Sequence, residues 1–464
     1  MAASVLTRRI DRLFGALERH AGRTILVIGL ACAVAYAGAF LTGASRGHVM
    51  RGDAVQYYAY LRSAVFDGDL DFKNEYEHFY DTGEGGTRSV WLTERTPAGR
   101  RPNMMSVGPA VLWSPLYLAA AGVLWLLAAI GLGPPPDGFS TGLQLAAGLS
   151  GVGYATLGAW LSYRAACRVF SAPVALWSTL AVWLAGPAVY YSVVSPAYSH
   201  ATSLFAVSLF VLVWLGSNGR YDPRRGLLLG LTGALAALVR WQDAIVLLLP
   251  AYEIVVARTA GRVTTGQLAR FGATMGAGLL TGVVPQLMAW QSVYGSAFVI
   301  PQGGSFMRWG DPAILSVLFS TRHGLFLWTP ALLFAAAGVA WLWRRDRLVG
   351  GAVALTLAAA VYVNAAVSDW WAGEAFGARR FISYTPLFVL GLAAIADRFE
   401  AAGRRPALRA AAIGLIAYNV LFLLQYQLFM RGYTDLVPYP ETVKQILVDR
   451  LLLPARLLAA WLHG

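Results

Sequence analysis

Charged residues and cysteines are scarce in this chain. Only 13% of its 464 residues are charged and 57% are hydrophobic, whereas a soluble domain carries about 25% charged residues. The two cysteines, Cys32 and Cys167, stand far apart in the sequence, so no disulfide framework is expected. Apolar runs of roughly 17 to 25 residues, long enough to cross a bilayer as helices, recur throughout. The composition predicts an all-α polytopic membrane protein.

Several motifs of nucleotide and metal chemistry are missing. The sequence has no GxxxxGK[ST] loop, no GxGxxG between a strand and a helix, and no HExxH. An ATP-driven pump and an enzyme that uses a cytoplasmic nucleotide-sugar lose support accordingly. The net charge of +13 does not indicate nucleic-acid binding, because no basic stripe with interleaved aromatic residues occurs.

Arginines form short clusters between the apolar runs, as is typical of cytoplasmic loops. The segment 43–106 carries a net charge of −1 and the remainder of the chain +14. If the clusters are cytoplasmic, the segment 43–106 lies on the outer face. The clusters are Arg8/Arg9/Arg12, Arg164/Arg168, Arg220/Arg224/Arg225, Arg258/Arg262, Arg344/Arg345/Arg347 and Arg398/Arg404/Arg405.

The order of apolar runs predicts about eleven transmembrane helices, with the N-terminus inside and the C-terminus outside. The run 108–131 is expected not to cross fully, because Gly108-Pro109 and Ser114-Pro115 predict a break. We expect one membrane domain over 1–464, with a cytoplasmic amphipathic segment 1–23, a first periplasmic loop 43–106 and a periplasmic or interfacial tail 431–464. The runs lie near 24–42, 108–131, 140–162, 172–191, 198–216, 226–240, 241–257, 268–290, 325–343, 348–367, 382–397 and 409–428.

The loop 43–106 gathers nine of the 24 acidic residues. Asp53 opens a helical pattern that carries Tyr57 and Tyr58, and a carboxylate beside aromatic rings at the membrane boundary could accept a proton from a hydroxyl while a sugar lies over the rings. The alternative for Asp53 is a helix N-cap. Glu75, later in the loop, is a further candidate for the substrate cavity.

Alternating acids in the same loop are a second candidate site. Asp67, Asp69 and Asp71 have the spacing that begins a calcium loop. The match ends there, because Phe72 and His78 stand where the turn glycine and the bidentate glutamate belong. Solvated loop acids are the alternative interpretation.

A third site lies between the tenth and eleventh expected spans, in the stretch Trp370-Trp371-Ala372-Gly373-Glu374 and the pair Arg379-Arg380. Arginines on the outer face suggest an anion to bind, since guanidinium groups bind phosphate oxygens bidentately. An aromatic belt with snorkelling arginines is the alternative. Polar residues expected on the same face are Tyr198, His200, Arg240, Asp243, Arg322 and His323; for Arg240 with Asp243 an ion pair is the simpler interpretation, and for His200 a hydrogen-bonding role.

Taken in order, these features resemble the GT-C superfamily of membrane glycosyltransferases, and within it the protein O-mannosyltransferase and aminoarabinose-transferase branch. The likeness is carried by Arg51-Gly52-Asp53 after the first span, by Gly108-Pro109 with Ser114-Pro115-Leu116-Tyr117, and by the basic turn that ends in Cys167-Arg168-Val169-Phe170. The resemblance implies that Asp53 is the catalytic base. It implies donor-phosphate contacts, which we assign to Arg322, His323, Arg379 and Arg380.

The resemblance further implies an inverting enzyme that moves a sugar from a polyprenyl-phosphate carrier to a glycan, lipid or protein acceptor. We expect no required cofactor, because arginines can stabilise the leaving phosphate; a divalent metal is the alternative. We expect the enzyme in a bacterial inner membrane, with its active site on the periplasmic side. The alternative is a polytopic transporter or lipid flippase, against which stands the absence of repeated halves and of matched interrupted helices.

Overall fold

A computed structural model describes residues 12–42, 49–81, 90–373, 375–430 and 442–463. Helices make up 76% of the structure, and no β-strand forms within these ranges. An isolated bridge pairs Met307 with Val367. The all-α prediction is confirmed.

The described ranges contain twenty α-helices, joined by short 3₁₀ and π turns. They are α1 Ala21–Leu41, α2 Asp53–Arg62, α3 Lys73–Tyr76, α4 Val90–Thr93, α5 Gly108–Ala129, α6 Thr141–Ala166, α7 Ala172–Leu184, α8 Tyr190–Val193, α9 Ser199–Gly216, α10 Pro223–Val239, α11 Leu248–Thr259, α12 Thr265–Tyr294, α13 Ile314–Phe319, α14 Leu325–Trp328, α15 Pro330–Arg345, α16 Arg347–Ala366, α17 Thr385–Ala401, α18 Arg405–Gln425, α19 Val443–Leu447 and α20 Leu453–His463.

Seven helical segments in the described part of the chain are long and apolar enough to cross a membrane, or eight if one bent pair counts as a span. That pair joins α7 to Pro187–Val193 with a bend of 70°, where Gly186-Pro187 interrupts the run that the sequence predicted as one span. Helices α10, α11 and α15 have 17, 12 and 16 residues, short of the roughly 20 that a perpendicular span needs. A membrane-helix bundle is therefore shown, while the count of eleven stays a prediction.

The predicted break in the run 108–131 does not form. Helix α5 is continuous over 22 residues with Pro115 inside it, and this length corresponds to about 33 Å at 1.5 Å per residue. Pro109 lies in the first turn, where a missing N–H breaks no helical hydrogen bond. The helix is long enough to cross, so the reason for treating it as re-entrant is lost.

Two apolar clusters organise the interior. The larger one packs fully buried indoles such as Trp183, Trp214 and Trp328 between the long helices. The second is aromatic and lies under the first loop, where Tyr58, Tyr60 and other rings of the segment 50–80 pack against Trp113 and Tyr117 of α5. This second cluster fixes helix α2, which begins with Asp53.

Arg345 belongs to one of the arginine clusters that the sequence assigned to the cytoplasmic side. It forms an ion pair with Asp397 and donates to the carbonyl of Val169 at 3.1 Å. Helix α17 runs from near Arg380 to beyond Asp397, so the Arg379-Arg380 pair lies about 25 Å from this ion pair. The Arg379-Arg380 pair and the cluster of Arg345 thus lie at opposite ends of one helix.

The tail was predicted to form an interfacial helix, and its described residues, 442–463, form α19, a 3₁₀ turn and α20. Leu457, Leu458 and Trp461 of α20 are exposed, as an interfacial helix requires. The tail is anchored by Arg450, whose guanidinium lies 3.9 Å from the ring centre of Phe422.

Candidate active site

Asp53 is placed by an unusual glycine and a buried helix. Gly52 has a φ of +53°, a backbone conformation that favours glycine. A Cβ there would also stand 2.8 Å from the Tyr198 hydroxyl, so both the backbone and the available space disfavour a side chain at this position. Downstream, the Gln56 side chain accepts from the backbone N–H of Met104 at 3.0 Å. The first residue of α2 therefore projects from a rigid support.

The Asp53 carboxylate pairs with the Arg379 guanidinium, with Oδ2 3.0 Å from Nη1. The Asp53 side chain is 22% exposed and that of Arg379 is 11% exposed. The guanidinium also lies 5.5 Å from the ring centre of Tyr198. Asp53 makes no side-chain capping bond, and the N-cap is Gly52. The structure therefore supports an electrostatic role for this carboxylate over the capping alternative.

Arg379 and Arg380 begin a 3₁₀ turn over Arg379–Tyr384. Arg380 donates to the Asp369 carboxylate at 2.7 Å and to the Asp369 carbonyl at 3.0 Å. Two neighbouring guanidinium groups are thus each held by a carboxylate. Two positive charges therefore lie side by side, and the carboxylates of Asp53 and Asp369 balance them.

Trp371 contacts the other two predicted phosphate ligands, Arg322 and His323. Its ring centre lies 4.5 Å from the Arg322 guanidinium, and its carbonyl lies 2.7 Å from His323 Nδ1. Trp370 packs edge to face against it at 5.7 Å between ring centres. His323, Trp370, Trp371, Arg379 and Arg380 line one cavity of about 10 Å³, close to the space that a single water needs.

The backbone beside this cavity is strained. His323 and Ala372 both have a φ of +63°, and both are non-glycine residues, for which this conformation is uncommon. Burial lowers the pKa of His323 to about 4, so its imidazole is neutral at physiological pH. Its Nδ1–H donates to the Trp371 carbonyl, and the neutral ring brings no positive charge to the site.

Three polar residues that the sequence placed in the substrate cavity are buried behind it. His200 Nδ1 lies 2.8 Å from Arg240 Nη1, so Arg240 donates to His200 and the predicted pairing with Asp243 is wrong. Asp243 is fully buried and bonds to Ser203, whose hydroxyl lies 2.8 Å from that of Ser383. Since Ser383 belongs to the turn that begins with Arg379, these groups support the site from below and do not reach a substrate.

The two tyrosines of α2 point to different places. Tyr57 donates to the Ser199 hydroxyl at 2.9 Å, near the site, and burial raises its pKa to about 12. Tyr58 is fully buried and donates to the carbonyl of Gly138 at 2.5 Å. Tyr58 is therefore a packing residue, and its predicted place in the cavity is wrong.

The acidic run of the loop binds the protein itself. Asp67 pairs with Arg62 and accepts from Asn74 at 2.8 Å, and Asp69 accepts from Ser63 at 2.9 Å. Asp71 lies 3.5 Å from the backbone N–H of Arg101. Within the described ranges no three metal-ligating side chains converge, so the calcium-loop candidate of Asp67, Asp69 and Asp71 is not formed there.

Glu75 was predicted in the cavity but is fully buried against Arg62, with Oε1 3.0 Å from Nη1. Burial raises the pKa of Glu75 to about 7, more than the Arg62 ion pair lowers it. The folded state therefore binds a proton more tightly than the unfolded state between pH 4.5 and about pH 7, and stability is lost as the pH rises through this window.

We expect Glu75→Gln to remove this loss. At pH 5 the variant and the parent should have similar stability, and at pH 7.5 the variant should be more stable by on the order of 2 kcal/mol. Thermal unfolding of the detergent-solubilised proteins between pH 5 and pH 8 measures the difference. The lowered pKa of His323 makes its contribution to stability rise with pH. His323 is present in both proteins, so this contribution cancels in the difference between them. A pH-independent difference would contradict the prediction.

Several residues of the site were not predicted. Asp369 pairs with Arg380, Ser199 bonds to Tyr57, and Ser203 bonds to Asp243 and to Ser383. Asp369 directly precedes the tryptophan pair Trp370-Trp371 in the sequence, and this position is the signal that could have found it. Glu374 lies outside the described residues.

The fold matches that of known membrane enzymes. The archaeal oligosaccharyltransferase AglB from Archaeoglobus fulgidus, in complex with an inhibitory peptide and a dolichol-phosphate, aligns with a TM-score of 0.52 and 13% identity over 88% of this chain. A second Archaeoglobus fulgidus oligosaccharyltransferase structure, with Zn and sulfate, aligns with a TM-score of 0.50 and 14% identity over 90% of this chain. The chain therefore shares its fold with these two structures.

The alignment covers only part of those enzymes, 54% and 58% of their chains. No protein-family model and no curated protein sequence matches the chain. At these identities the likeness shows the fold alone. The O-mannosyltransferase and aminoarabinose-transferase branch accordingly stays a prediction.

Proposed function

We propose that the protein is an inverting glycosyltransferase that moves a sugar from a polyprenyl-phosphate carrier to an acceptor hydroxyl at the outer face of the membrane. The observation that carries the proposal is the Asp53–Arg379 pair at 3.0 Å in a GT-C-like fold. A carboxylate and a guanidinium on one open surface are the base and the anion-binding group that this reaction needs.

The chemistry follows from that pair. An Asp53 oxygen takes the proton of the acceptor hydroxyl, and the hydroxyl oxygen forms a bond to the anomeric carbon. The bond from that carbon to the phosphate oxygen breaks on the opposite side, and polyprenyl phosphate leaves with the electron pair. Arg379 and Arg380, with Arg322 close by, stabilise the leaving phosphate through charge-assisted hydrogen bonds. Attack from the side opposite the phosphate inverts the configuration.

A lipid-linked donor is supported by the chemistry of the surroundings. Tryptophans and arginines stand together at a helix end that packs in a membrane-type bundle, and these are the residue types that contact lipid head groups at a membrane interface. The AglB structure holds a dolichol-phosphate, which is a lipid phosphate of the same chemical class. We further propose the periplasmic face of a bacterial inner membrane as the location, from the arginine clusters at the other end of the bundle.

The deciding experiment uses purified protein in vesicles with a radiolabelled polyprenyl-phosphate sugar. Transfer of label to an acceptor with release of carrier phosphate is expected. Movement of the intact labelled lipid across the bilayer without release of carrier phosphate would identify a flippase instead, and uptake of a solute would identify a transporter. Either of these results would reject the enzyme.

We propose that the reaction requires no metal ion. Arg379 already places a positive charge beside Asp53, where a divalent cation would otherwise bridge a carboxylate to the phosphate. Transfer should therefore be unchanged after treatment with EDTA and after addition of Mg²⁺ or Mn²⁺. A loss of transfer that added metal restores would reject metal independence but not the glycosyl transfer itself.

A further inference from the structure

Arg379 has two roles to fill with one guanidinium. It pairs with Asp53, and the proposed function, on which this inference rests, also requires it for the donor phosphate. We infer that the donor phosphate displaces Asp53 from Arg379, and that Asp53 becomes available to the acceptor hydroxyl only after the donor has bound.

The contacts of Asp53 support such an exchange. Its Oδ2 oxygen lies 3.0 Å from Arg379 Nη1, so the guanidinium occupies that side of the carboxylate and keeps an acceptor hydroxyl from approaching there. The pair is partly open to solvent, with Asp53 the more exposed partner. An incoming anion can therefore approach the guanidinium without unfolding the site.

Arg379 itself is held in place while its partner changes. Its guanidinium lies against the Tyr198 ring at 5.5 Å, and its turn is bonded from below through Ser383 to Ser203 at 2.8 Å. Asp53 is fixed by Gly52 and by the buried helix α2. Tyr198 supports both partners, since its hydroxyl stands beside Gly52, so the backbone on both sides is held and the exchange needs only the Asp53 side chain to move.

A phosphate is the stronger partner for this guanidinium. A phosphate group can receive two parallel N–H bonds from an arginine fork, whereas the Asp53 ion pair is a single contact, between Oδ2 and Nη1. Binding of the donor therefore replaces a single ion-pair contact with a bidentate one and releases the carboxylate. The exchange makes the order of substrate binding donor first, acceptor second.

The test measures the affinity of farnesyl phosphate for the purified full chain by isothermal titration calorimetry. Removing the competing carboxylate in Asp53→Asn should tighten binding roughly fivefold, the equivalent of about 1 kcal/mol for a partly exposed ion pair. Asp53→Ser is a second variant, since serine is also common where helices begin. Glu77→Gln removes an exposed acid of the same loop and should leave the affinity unchanged.

The double variant separates competition for Arg379 from a general charge effect. In an Arg379→Gln background, Asp53→Asn should no longer tighten binding, because the contested group is gone. The inference is overturned if Asp53→Asn binds no more tightly than the parent, or if the tightening persists in the Arg379→Gln background. If the parent protein transfers sugar and either of these results is obtained with the variants, the exchange alone is rejected. Absence of binding and of transfer in every variant rejects the proposed function as well.

Discussion

Asp53→Asn is expected to reduce glycosyl transfer by roughly 10² to 10⁴-fold, the range of general-base assistance. Asparagine keeps the size of the side chain and can still accept from Arg379, but it cannot take the proton of the acceptor hydroxyl. Initial rates with a labelled polyprenyl-phosphate sugar measure the effect. Since Asp53 is at the open end of α2 and makes no capping bond, the variant should fold normally.

A matched control is available in the same loop. Glu77 is about half exposed and pairs with Lys73 at 3.7 Å, an i,i+4 contact on the surface. Glu77→Gln removes the same charge from the same face and should keep nearly full activity. Near-normal transfer by Asp53→Asn, or an equal loss in Glu77→Gln, would show that the base is elsewhere or that the loop acts only through its total charge.

The sequence could predict which residues meet, because membrane topology confines loops to one face. Asp53 and Arg379 were both assigned to the outer face from the arginine clusters alone, and they form an ion pair. Their direct contact could not be predicted, since it depends on Tyr198 and on Gly52 with its positive φ. Their chemical roles remain predictions that the experiments above test.

Each of the three errors made from the sequence has its own physical cause. Consecutive residues on a helix point about 100° apart, so Tyr57 and Tyr58 could not both face one cavity, and only Tyr57 lies near Asp53. Arg240 has extended backbone, with φ −152° and ψ 124°, so the helical i,i+3 pairing with Asp243 does not apply. In α5, Pro115 was read as a break, yet a proline inside a long membrane helix is tolerated when neighbouring groups satisfy the freed carbonyl.

Beyond the site, the largest stability effect is expected at Glu253. Its carboxylate receives both Nη groups of Arg225, at 2.8 and 2.6 Å, the indole N–H of Trp214 at 2.8 Å and the backbone N–H of Gly219 at 3.0 Å. The Glu253 and Arg225 side chains are each 1% exposed. The ion pair is therefore fully desolvated and fully hydrogen-bonded.

Glu253→Gln should destabilise the protein by about 3 to 5 kcal/mol, because it leaves the buried Arg225 charge without a counter-charge. Thermal unfolding in detergent should show a large fall in the midpoint. Replacing both partners, as Arg225→Met with Glu253→Leu, should recover much of the loss, since the penalty is mainly the unpaired charge. Arg220→Gln, at a side chain 62% exposed, should change stability by less than about 0.5 kcal/mol. A double variant no more stable than Glu253→Gln would mean that the bonds to Trp214 and Gly219, and not the charge pair, hold α10 to α11.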